Sequence, residues 1–228
     1  MLTAVHHCVG SIMRLLAFTD IHGAYDRVEQ ILSREQPFDG LIFGGDLTTR
    51  GTSREVTHAL ERFQSYQQPL FAVAGNMDSP SFDRLFDALD CGINGRGRML
   101  QDIGIFGVSG SPPTPMQTPY EIPEDEIARR SELGYREVHA ARVHIYVPHA
   151  PPFQTAVDRV RLGFHAGSTA VRQFIEQRAP DLVVCGHIHE GRGIDRIGTT
   201  QVVNCGPAGN GSYAAIHIDD TIHVDLRL

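Results

Sequence analysis

The sequence predicts an α/β protein whose strands are mostly parallel. Two observations support this prediction: short apolar runs alternate with segments of helical periodicity along most of the chain, and the last part carries short strands separated by turns. The chain has 228 residues, of which 41% are hydrophobic, so it can bury one substantial core. We therefore expect a single domain over residues 13–228, preceded at residues 1–12 by a disordered extension.

Three strand–helix units open the predicted domain. The predicted strands are residues 15–18, 41–43 and 70–73. The predicted helices are residues 25–34, residues 53–66 approximately, and a third helix that carries Phe82, Leu85, Phe86 and Leu89. Apolar residues recur at helical spacing within each helix. Asp78 or Ser79 is expected to cap the third helix, because Pro80 follows at a typical first-turn position. Successive units of this kind imply parallel pairing of their strands.

The topology changes in the second half of the chain. Residues 103–108 predict a strand, and residues 109–123 contain five prolines, which predict a long surface loop. The remaining predicted elements are a helix at about 124–139, a strand at 143–147, a helix at about 168–178 with Ser168 as its N-cap, and a strand at 182–185. Four short strands between residues 194 and 226 then indicate antiparallel hairpins.

Seven side chains that can bind metal stand in five short clusters, each directly after an apolar run. They are Asp20, His22, Asp46, Asn76, His149, His187 and His189. In an α/β sheet, ligands bind beyond the carboxyl ends of the strands. We therefore expect these seven groups to meet on one rim of the sheet.

The mixed oxygen and nitrogen donors of these clusters suit Mn, Fe or Zn better than Ca. Seven ligands exceed the needs of one ion, whereas two ions about 3.5 to 4 Å apart would share a bridging carboxylate and a hydroxide. Two divalent ions would outweigh the two carboxylates, so the site would carry surplus positive charge. A phosphate ester would complement that charge, with the shared hydroxide as the nucleophile.

Overall charge and cysteine usage restrict the class of protein. The formal net charge of −7 argues against a broad basic surface that binds long nucleic acid. The four cysteines form no CxxC pair and no disulfide framework, which suits a reducing cytoplasm. We see no signal peptide and no transmembrane segment, and we expect no membrane partner.

The five clusters, taken together and in order, resemble the calcineurin-like metallophosphoesterase superfamily. The matching blocks are Asp20-Ile21-His22, Gly45-Asp46, Gly75-Asn76, His149 and Gly186-His187-Ile188-His189. Further short matches, among them His165-Ala166-Gly167-Ser168, resemble a small prokaryotic branch of phosphoesterases. The resemblance implies a four-layer α/β/β/α fold, a two-sheet β-sandwich flanked by helices.

The resemblance also implies a division of the ligands between two metal ions. Asp20, His22 and His189 would hold one ion, and Asn76, His149 and His187 would hold the other. Asp46 would bridge the two, and Asp46 and Asn76 are thereby also catalytic candidates.

One position departs from many members of this superfamily. A histidine often follows the asparagine and donates a proton to the leaving group, whereas this chain has Met77 and then Asp78. Methionine has no proton to donate. Our hypothesis is that water, Asp78 or His165 assists departure, so that good leaving groups are favoured. Each candidate also has an alternative, structural role. Asp78 could instead cap a helix, and His165 could instead organise a turn.

The predicted function is metal-dependent hydrolysis of a small phosphoester, with a phosphodiester or nucleotide-type substrate favoured over a phosphomonoester. Tyr120 and Phe153 either stack on a base or pack under the proline-rich loop. The alternative is a binding or scaffold protein that keeps this fold without catalysis. A scaffold tolerates loss of ligands, whereas every ligand position is filled here.

Overall fold

Two β-sheets form the centre of the computed structural model, which describes residues 12–228. Its strands are β1 (Met13–Phe18), β2 (Gly40–Gly44), β3 (Leu70–Val73), β4 (Gly97–Leu100), β5 (Ile103–Val108), β6 (Val143–Pro148), β7 (Leu182–Cys185), β8 (Gly193–Ile197), β9 (Thr200–Asn204), β10 (Tyr213–Ile218) and β11 (Ile222–Arg227). The disordered extension predicted at residues 1–12 lies, apart from Ile12, outside the described residues.

Five α-helices accompany these strands within the described part of the chain. They are α1 (Tyr25–Arg34), α2 (Ser53–Gln64), α3 (Phe82–Ala88), α4 (Glu124–Val138) and α5 (Thr169–Arg178). Four of the predicted helices agree with these bounds to within two residues, whereas α3 begins after Ser81 and not after the predicted cap, Asp78 or Ser79. Ser168 caps α5 as expected, because its hydroxyl accepts a hydrogen bond from the backbone N–H of Val171 at 3.1 Å.

The first sheet has the strand order β11-β10-β1-β2-β3. Strands β1, β2 and β3 are parallel, which confirms the pairing predicted from the three strand–helix units. Strand β10 joins the free edge of β1 in antiparallel pairing and carries β11 as a hairpin partner. The last hairpin of the chain thus completes the sheet that the first strand began.

The second sheet has the order β4-β5-β6-β7-β9-β8. Its four central strands, β5, β6, β7 and β9, are parallel, and the two edge strands are antiparallel to their neighbours. The two predicted terminal hairpins are therefore present but belong to different sheets. Strand β4 was not predicted, because its segment follows a turn-rich stretch and only partly buries its side chains.

The two sheets pack face to face, with helices on their outer faces. One buried cluster joins inward-facing side chains of both sheets, among them Leu15, Val73, Ile145 and Val203. A second cluster joins the opposite faces of the strands to the apolar sides of the helices. The alternation of strand side chains supplies both clusters. Full burial of each large aliphatic side chain contributes about 1.5–3 kcal/mol to the stability of the folded state. The arrangement of the layers is the predicted four-layer fold.

The parallel strands bring the predicted ligands to one rim. The chain leaves β1, β2 and β3 in the first sheet, and β6 and β7 in the second, immediately before a cluster of predicted ligands. No helix among residues 12–228 is long and apolar enough to cross a membrane.

Candidate metal centre

The structure brings all seven predicted ligands together on this rim. Around Asn76, the Oδ1 atom lies 2.9 Å from Nε2 of His149 and 2.8 Å from Nδ1 of His187. On the other side, Nε2 of His189 lies 3.3 Å from Nε2 of His22 and 3.4 Å from Oδ1 of Asp20. Asn76, His149 and His187 are the residues that the resemblance assigns to one ion, and Asp20, His22 and His189 are those that it assigns to the other.

Asp46 lies between the two groups. Its Oδ2 atom is 3.7 Å from Nε2 of His22 and 3.6 Å from Nε2 of His149. Two subsets of acidic and histidine side chains place their ligand atoms within 4.8 Å of one another: Asp20 with His22 and His189, and Asp20 with Asp46 and His149. A single carboxylate that reaches both groups is in the position required of a bridging ligand.

Four of the seven residues adopt a left-handed backbone conformation that non-glycine residues rarely use. The φ angles are 52° at Asp20, 48° at His22, 52° at Asp46 and 66° at His187. Each such residue costs on the order of 1–3 kcal/mol, and residues of this kind concentrate at functional sites. The turns after β1, β2 and β7 therefore carry strain that the surrounding structure holds in place.

Glycines beside the predicted ligands permit close approach of the loops. A Cβ atom on Gly45 would lie 2.8 Å from the Cα of Gly75, and one on Gly75 would lie 2.6 Å from the carboxyl carbon of Asp46. A Cβ on Gly186 would lie 2.6 Å from that of Thr19. Cβ atoms do not approach other atoms this closely, so only glycine, which has no Cβ, fits at these three positions.

Hydrogen bonds fix the loops to one another. Backbone N–H groups of Asp20 and His22 donate to the carbonyls of Gly45 and Asp46, both at 2.9 Å. The N–H of Met77 donates to Oδ1 of Asp46 at 2.7 Å, and the N–H of His187 donates to Oδ1 of Asp20 at 3.0 Å. Each carboxylate is therefore oriented by a backbone group from another strand end. Asp46 keeps its second oxygen, Oδ2, directed to His22 and His149, whereas Asp20 faces His189 with the same Oδ1 that accepts from His187.

The hydrogen bonds of His149 indicate why this site suits a cation. Its Nδ1 lies 2.8 Å from the carbonyl oxygen of Gly44, which can only accept, so a neutral ring carries its proton on Nδ1. The Nε2 lone pair then faces Oδ1 of Asn76 and Oδ2 of Asp46, which are also acceptors. With the ring neutral, three lone pairs converge, and they repel one another unless a proton or a metal cation lies among them. The donor set therefore fits a metal ion.

Burial and neighbouring charge shift the acid–base properties of the cluster. Burial alone would raise the pKa of Asp20, but the hydrogen bond from His189 and the charges of His149 and His189 outweigh it and lower the pKa to about 2. Burial, together with the charge of Asp20, raises the pKa of Asp46 well above its usual value. Burial next to His149 lowers the pKa of His187 to about 3. A neutral imidazole is the form that binds metal.

Asp78 is a fully buried structural residue. Its two carboxylate oxygens accept hydrogen bonds from the N–H groups of Leu47, Thr48 and Gly75 and from the Thr48 hydroxyl, at 2.8–3.0 Å. Neither proposed role fits this geometry. A carboxylate without exposed surface does not reach a leaving group, and α3 begins after Ser81 instead. Asp78 ties the loop after β2 to the loop after β3.

His165 is paired with a carboxylate that sequence reasoning missed. Its Nδ1 lies 2.6 Å from Oδ1 of Asp158, a fully buried residue, and one quarter of the His165 side chain is exposed. Asp158 also accepts from three backbone N–H groups of its own loop, those of residues 154, 155 and 167. The loop is anchored close to His149, because the N–H of Ser168 donates to the carbonyl of Pro151. His165 thus organises this loop and keeps its Nε2 available.

The two aromatic residues left open by the sequence take different positions. Tyr120 packs under the proline-rich loop, and its hydroxyl contacts the side chains of Asp83 and Arg130. The ring of Phe153 lies 5.9 Å from that of His165, in an edge-on arrangement. Base stacking is therefore incompatible with the buried position of Tyr120.

Asn204, at the end of β9, is a further residue that sequence reasoning missed. Its side-chain amide donates to the carbonyls of Val157, Gly186 and Ile188 at 2.9–3.2 Å, so it supports the turn that carries His187 and His189. The sequence contained a signal for this role, because Asn204 directly follows the apolar residues Val202 and Val203, as the predicted ligands follow theirs.

The sequence model of calcineurin-like phosphoesterases matches residues 13–191 of the chain. The chain belongs to the calcineurin-like phosphoesterase family. An uncharacterised relative from Methanocaldococcus jannaschii is 33% identical to this phosphoesterase over 200 residues, which cover 86% of this chain and 88% of the relative.

Solved structures share the fold of this family member. A protein from Thermus thermophilus is similar with a TM-score of 0.74 at 18% identity, covering 95% of this chain and 99% of the other. A dimetal phosphatase from Danio rerio is similar with a TM-score of 0.65 at 10% identity, covering 94% and 96%. A structure described as a novel archaeal phosphodiesterase has a TM-score of 0.51 at 13% identity, covering 94% and 100%. At these identities the similarity establishes the fold alone.

Proposed function

We propose that this protein is a hydrolase of small phosphoesters that acts with two divalent metal ions, Mn, Fe or Zn, and that a phosphodiester or nucleotide-type compound is its substrate. Asp20, His22 and His189 would hold one ion, Asn76, His149 and His187 the other, and Asp46 both. The observation that carries the proposal is the convergence of acceptor atoms from His149, Asn76 and Asp46, which a cation would stabilise. Among the solved structures of the same fold, one is described as an archaeal phosphodiesterase and another as a dimetal phosphatase, so the preference for a diester is part of the proposal.

When bound, the ions would supply positive charge to the phosphoryl oxygens and to a water molecule. The protein holds the donors in place before substrate arrives. The N–H of Met77 positions Asp46, the N–H of His187 positions Asp20, and the carbonyl of Gly44 fixes the ring of His149. Because these supports belong to the backbone, little reorganisation is needed during the reaction.

The leaving group has no obvious proton donor in this site. Met77 has no acidic proton, and the carboxylate of Asp78 is buried and fully engaged in hydrogen bonds. We propose that water or His165, whose Asp158 partner leaves Nε2 available, assists departure. Good leaving groups are then favoured. Across aryl phosphodiesters of graded leaving-group acidity, rates should rise with acidity, and a flat response contradicts the proposal.

Surface charge supports a small substrate. The net charge of −7 repels long polyanions, whereas a local metal site attracts a single phosphate group. We propose that the protein acts in the cytoplasm on small molecules rather than on nucleic acid or at a membrane.

The decisive test uses metal-free protein, MnCl₂ and bis(4-nitrophenyl) phosphate. We expect turnover to require Mn and to fall at least about a hundredfold in Asp46→Asn, since removal of a key electrostatic group costs about that much. His58→Ala, an exposed histidine on α2, is the matched control and should keep the wild-type rate. Manganese binding without any turnover across phosphoester substrates would instead support a catalytically silent scaffold.

A further inference from the structure

A cavity of about 490 Å³ lies beside the candidate metal centre, between the turn after β7 and the segment that precedes β10. Its lining includes His189, which belongs to the centre, together with Arg161, Glu190, Arg192, Asn210 and Ser212. Cavities of 300–1,000 Å³ are typical of small-molecule sites. A substrate whose reacting phosphate sits at the centre can therefore extend into this cavity without leaving the rim.

Arg192 is the notable residue of the cavity because it lacks an acidic partner among the described residues. Its guanidinium makes one hydrogen bond in that part of the chain, from Nη2 to the carbonyl oxygen of Arg227 at 3.1 Å. Its Nε–H is buried and has no acceptor. Buried polar groups are normally satisfied by a hydrogen-bond partner. The Nη1 group of Arg192 makes no hydrogen bond within residues 12–228, so this arginine, which lines the cavity, is a candidate to bind an anion.

Packing, rather than an ion pair, directs the Arg192 side chain. Its methylene groups lie across Gly206, where an added Cβ would come within 2.7–2.9 Å of the Cβ, Cγ and Cδ atoms of Arg192. Gly206 also has a φ of 71°, which favours glycine. The absence of a side chain at Gly206 thus leaves space for the methylene groups of Arg192. This packing positions the guanidinium without neutralising its charge.

The charge of the lining side chains favours an anion. Arg161 and Arg192 contribute two positive charges, and the carboxylate of Glu190 contributes one negative charge at 3.8 Å from Arg161. Arg161 is 87% exposed, so this pair is weak and the side chain is free to turn towards a ligand. Guanidinium groups bind phosphate oxygens in a bidentate manner. Asn210 and Ser212 add neutral hydrogen-bonding groups.

We propose that this cavity binds a second phosphate group of the substrate, through Arg192 with help from Arg161. The inference rests on the proposed function and narrows it: preferred substrates carry a further phosphate on the part of the molecule that stays behind when the leaving group departs. Arg192 is a specificity-determining residue in this scheme.

The first test measures anion binding without metal, so it does not depend on hydrolysis. Metal-free protein is titrated with inorganic pyrophosphate in a calorimeter. Asp20 and Asp46 disfavour binding of this anion at the empty centre, and the loss of affinity in an Arg192 variant identifies the part of the binding that belongs to the arginine cavity. We expect Arg192→Met, which keeps the stem and removes the charge, to lose about tenfold in affinity or more. The control is Arg142→Ala, an exposed arginine just before β6, at the opposite end of the sheet.

The second test measures specificity in the manganese-loaded protein. Two substrates share one leaving group: thymidine 5′-(4-nitrophenyl phosphate) and its 3′-phosphorylated form. We expect the wild type to prefer the phosphorylated form in kcat/KM by about tenfold, and Arg192→Met to abolish most of that preference. Arg161→Ala, at an exposed position that does not endanger folding, should reduce it by about threefold.

Three results would overturn the proposal: equal pyrophosphate affinity in the wild type, Arg192→Met and Arg142→Ala; no preference of the wild type for the phosphorylated substrate; or an equal loss for both substrates in Arg192→Met. Failure of the proposed function looks different, because bis(4-nitrophenyl) phosphate would then not be hydrolysed while the pyrophosphate result still stood.

Discussion

Replacement of Gly75 by alanine tests whether close approach of two loops defines the candidate metal centre. Gly75 lies between β3 and Asn76, and its N–H donates to the buried carboxylate of Asp78 at 2.9 Å. Its φ angle lies outside the left-handed region, so alanine brings no conformational strain of its own. The added methyl group is the whole perturbation.

The magnitude follows from the space available. The new Cβ would lie 2.6 Å from the carboxyl carbon of Asp46, and still closer to its backbone nitrogen and Oδ1. Carbon atoms pack at about 3.5–4.0 Å, so the loops after β2 and β3 must part by about 1 Å. Overpacking of this kind costs about 1–3 kcal/mol. For a domain of this size that lowers Tm by about 2–12 °C.

The same displacement should weaken metal binding. Asp46 is the side chain that reaches both ligand groups, and loss of support for a metal ligand typically costs 10–100-fold in affinity. Thermal unfolding and titration with Mn²⁺ measure the two effects separately. The matched control is Gly193→Ala, because a Cβ there meets its nearest neighbours at 3.7 and 3.9 Å, which is ordinary contact.

The reasoning would be refuted by a Gly75→Ala protein whose Tm and Mn²⁺ affinity equal those of Gly193→Ala. A fall in Tm with unchanged Mn²⁺ affinity would refute only the expectation that the displacement weakens metal binding. In that case the loops part without moving Asp46.

Three further predictions concern other groups. Asp78→Asn should lower the free energy of unfolding by about 3–5 kcal/mol in urea denaturation, since it breaks a buried network; a loss below about 1 kcal/mol contradicts this. Burial raises the pKa of Glu121, but hydrogen bonds from Thr114 and Thr118 outweigh it and hold the pKa at about 2. Its contribution to stability is therefore present above pH 4.5 and lost towards pH 2. Glu121→Gln should flatten that part of the pH profile, and an unaltered profile argues against the prediction. The buried thiols should resist iodoacetamide at about pH 8 until the protein unfolds, as mass spectrometry can show, because burial raises the pKa of Cys91 and Cys205 to about 12. Labelling of either in the native state would contradict this.

The sequence predicted most of the secondary structure and the positions of the candidate ligands. The local periodicity of apolar residues was sufficient to predict the helices, because each helix buries one apolar side against a sheet. It failed at β4, whose side chains are only partly buried and so leave no clear pattern. It also failed for Asp78, whose proximity to Pro80 suggested a helix cap, while its hydrogen-bond partners include residues about 30 positions away in the sequence.

By itself, the sequence determined the α/β architecture, the order of its elements and the seven ligand types at strand ends. These properties depend on local patterns, which a chain carries whether or not it is folded. Only the tertiary structure decided which atoms meet: that Asp46 reaches both ligand groups, that the ring of His149 turns a lone pair to the site, and that Arg192 lacks an acidic partner in the described chain. Such facts depend on contacts between distant segments, and the physical reason is that burial and hydrogen-bond direction exist only once those segments have packed.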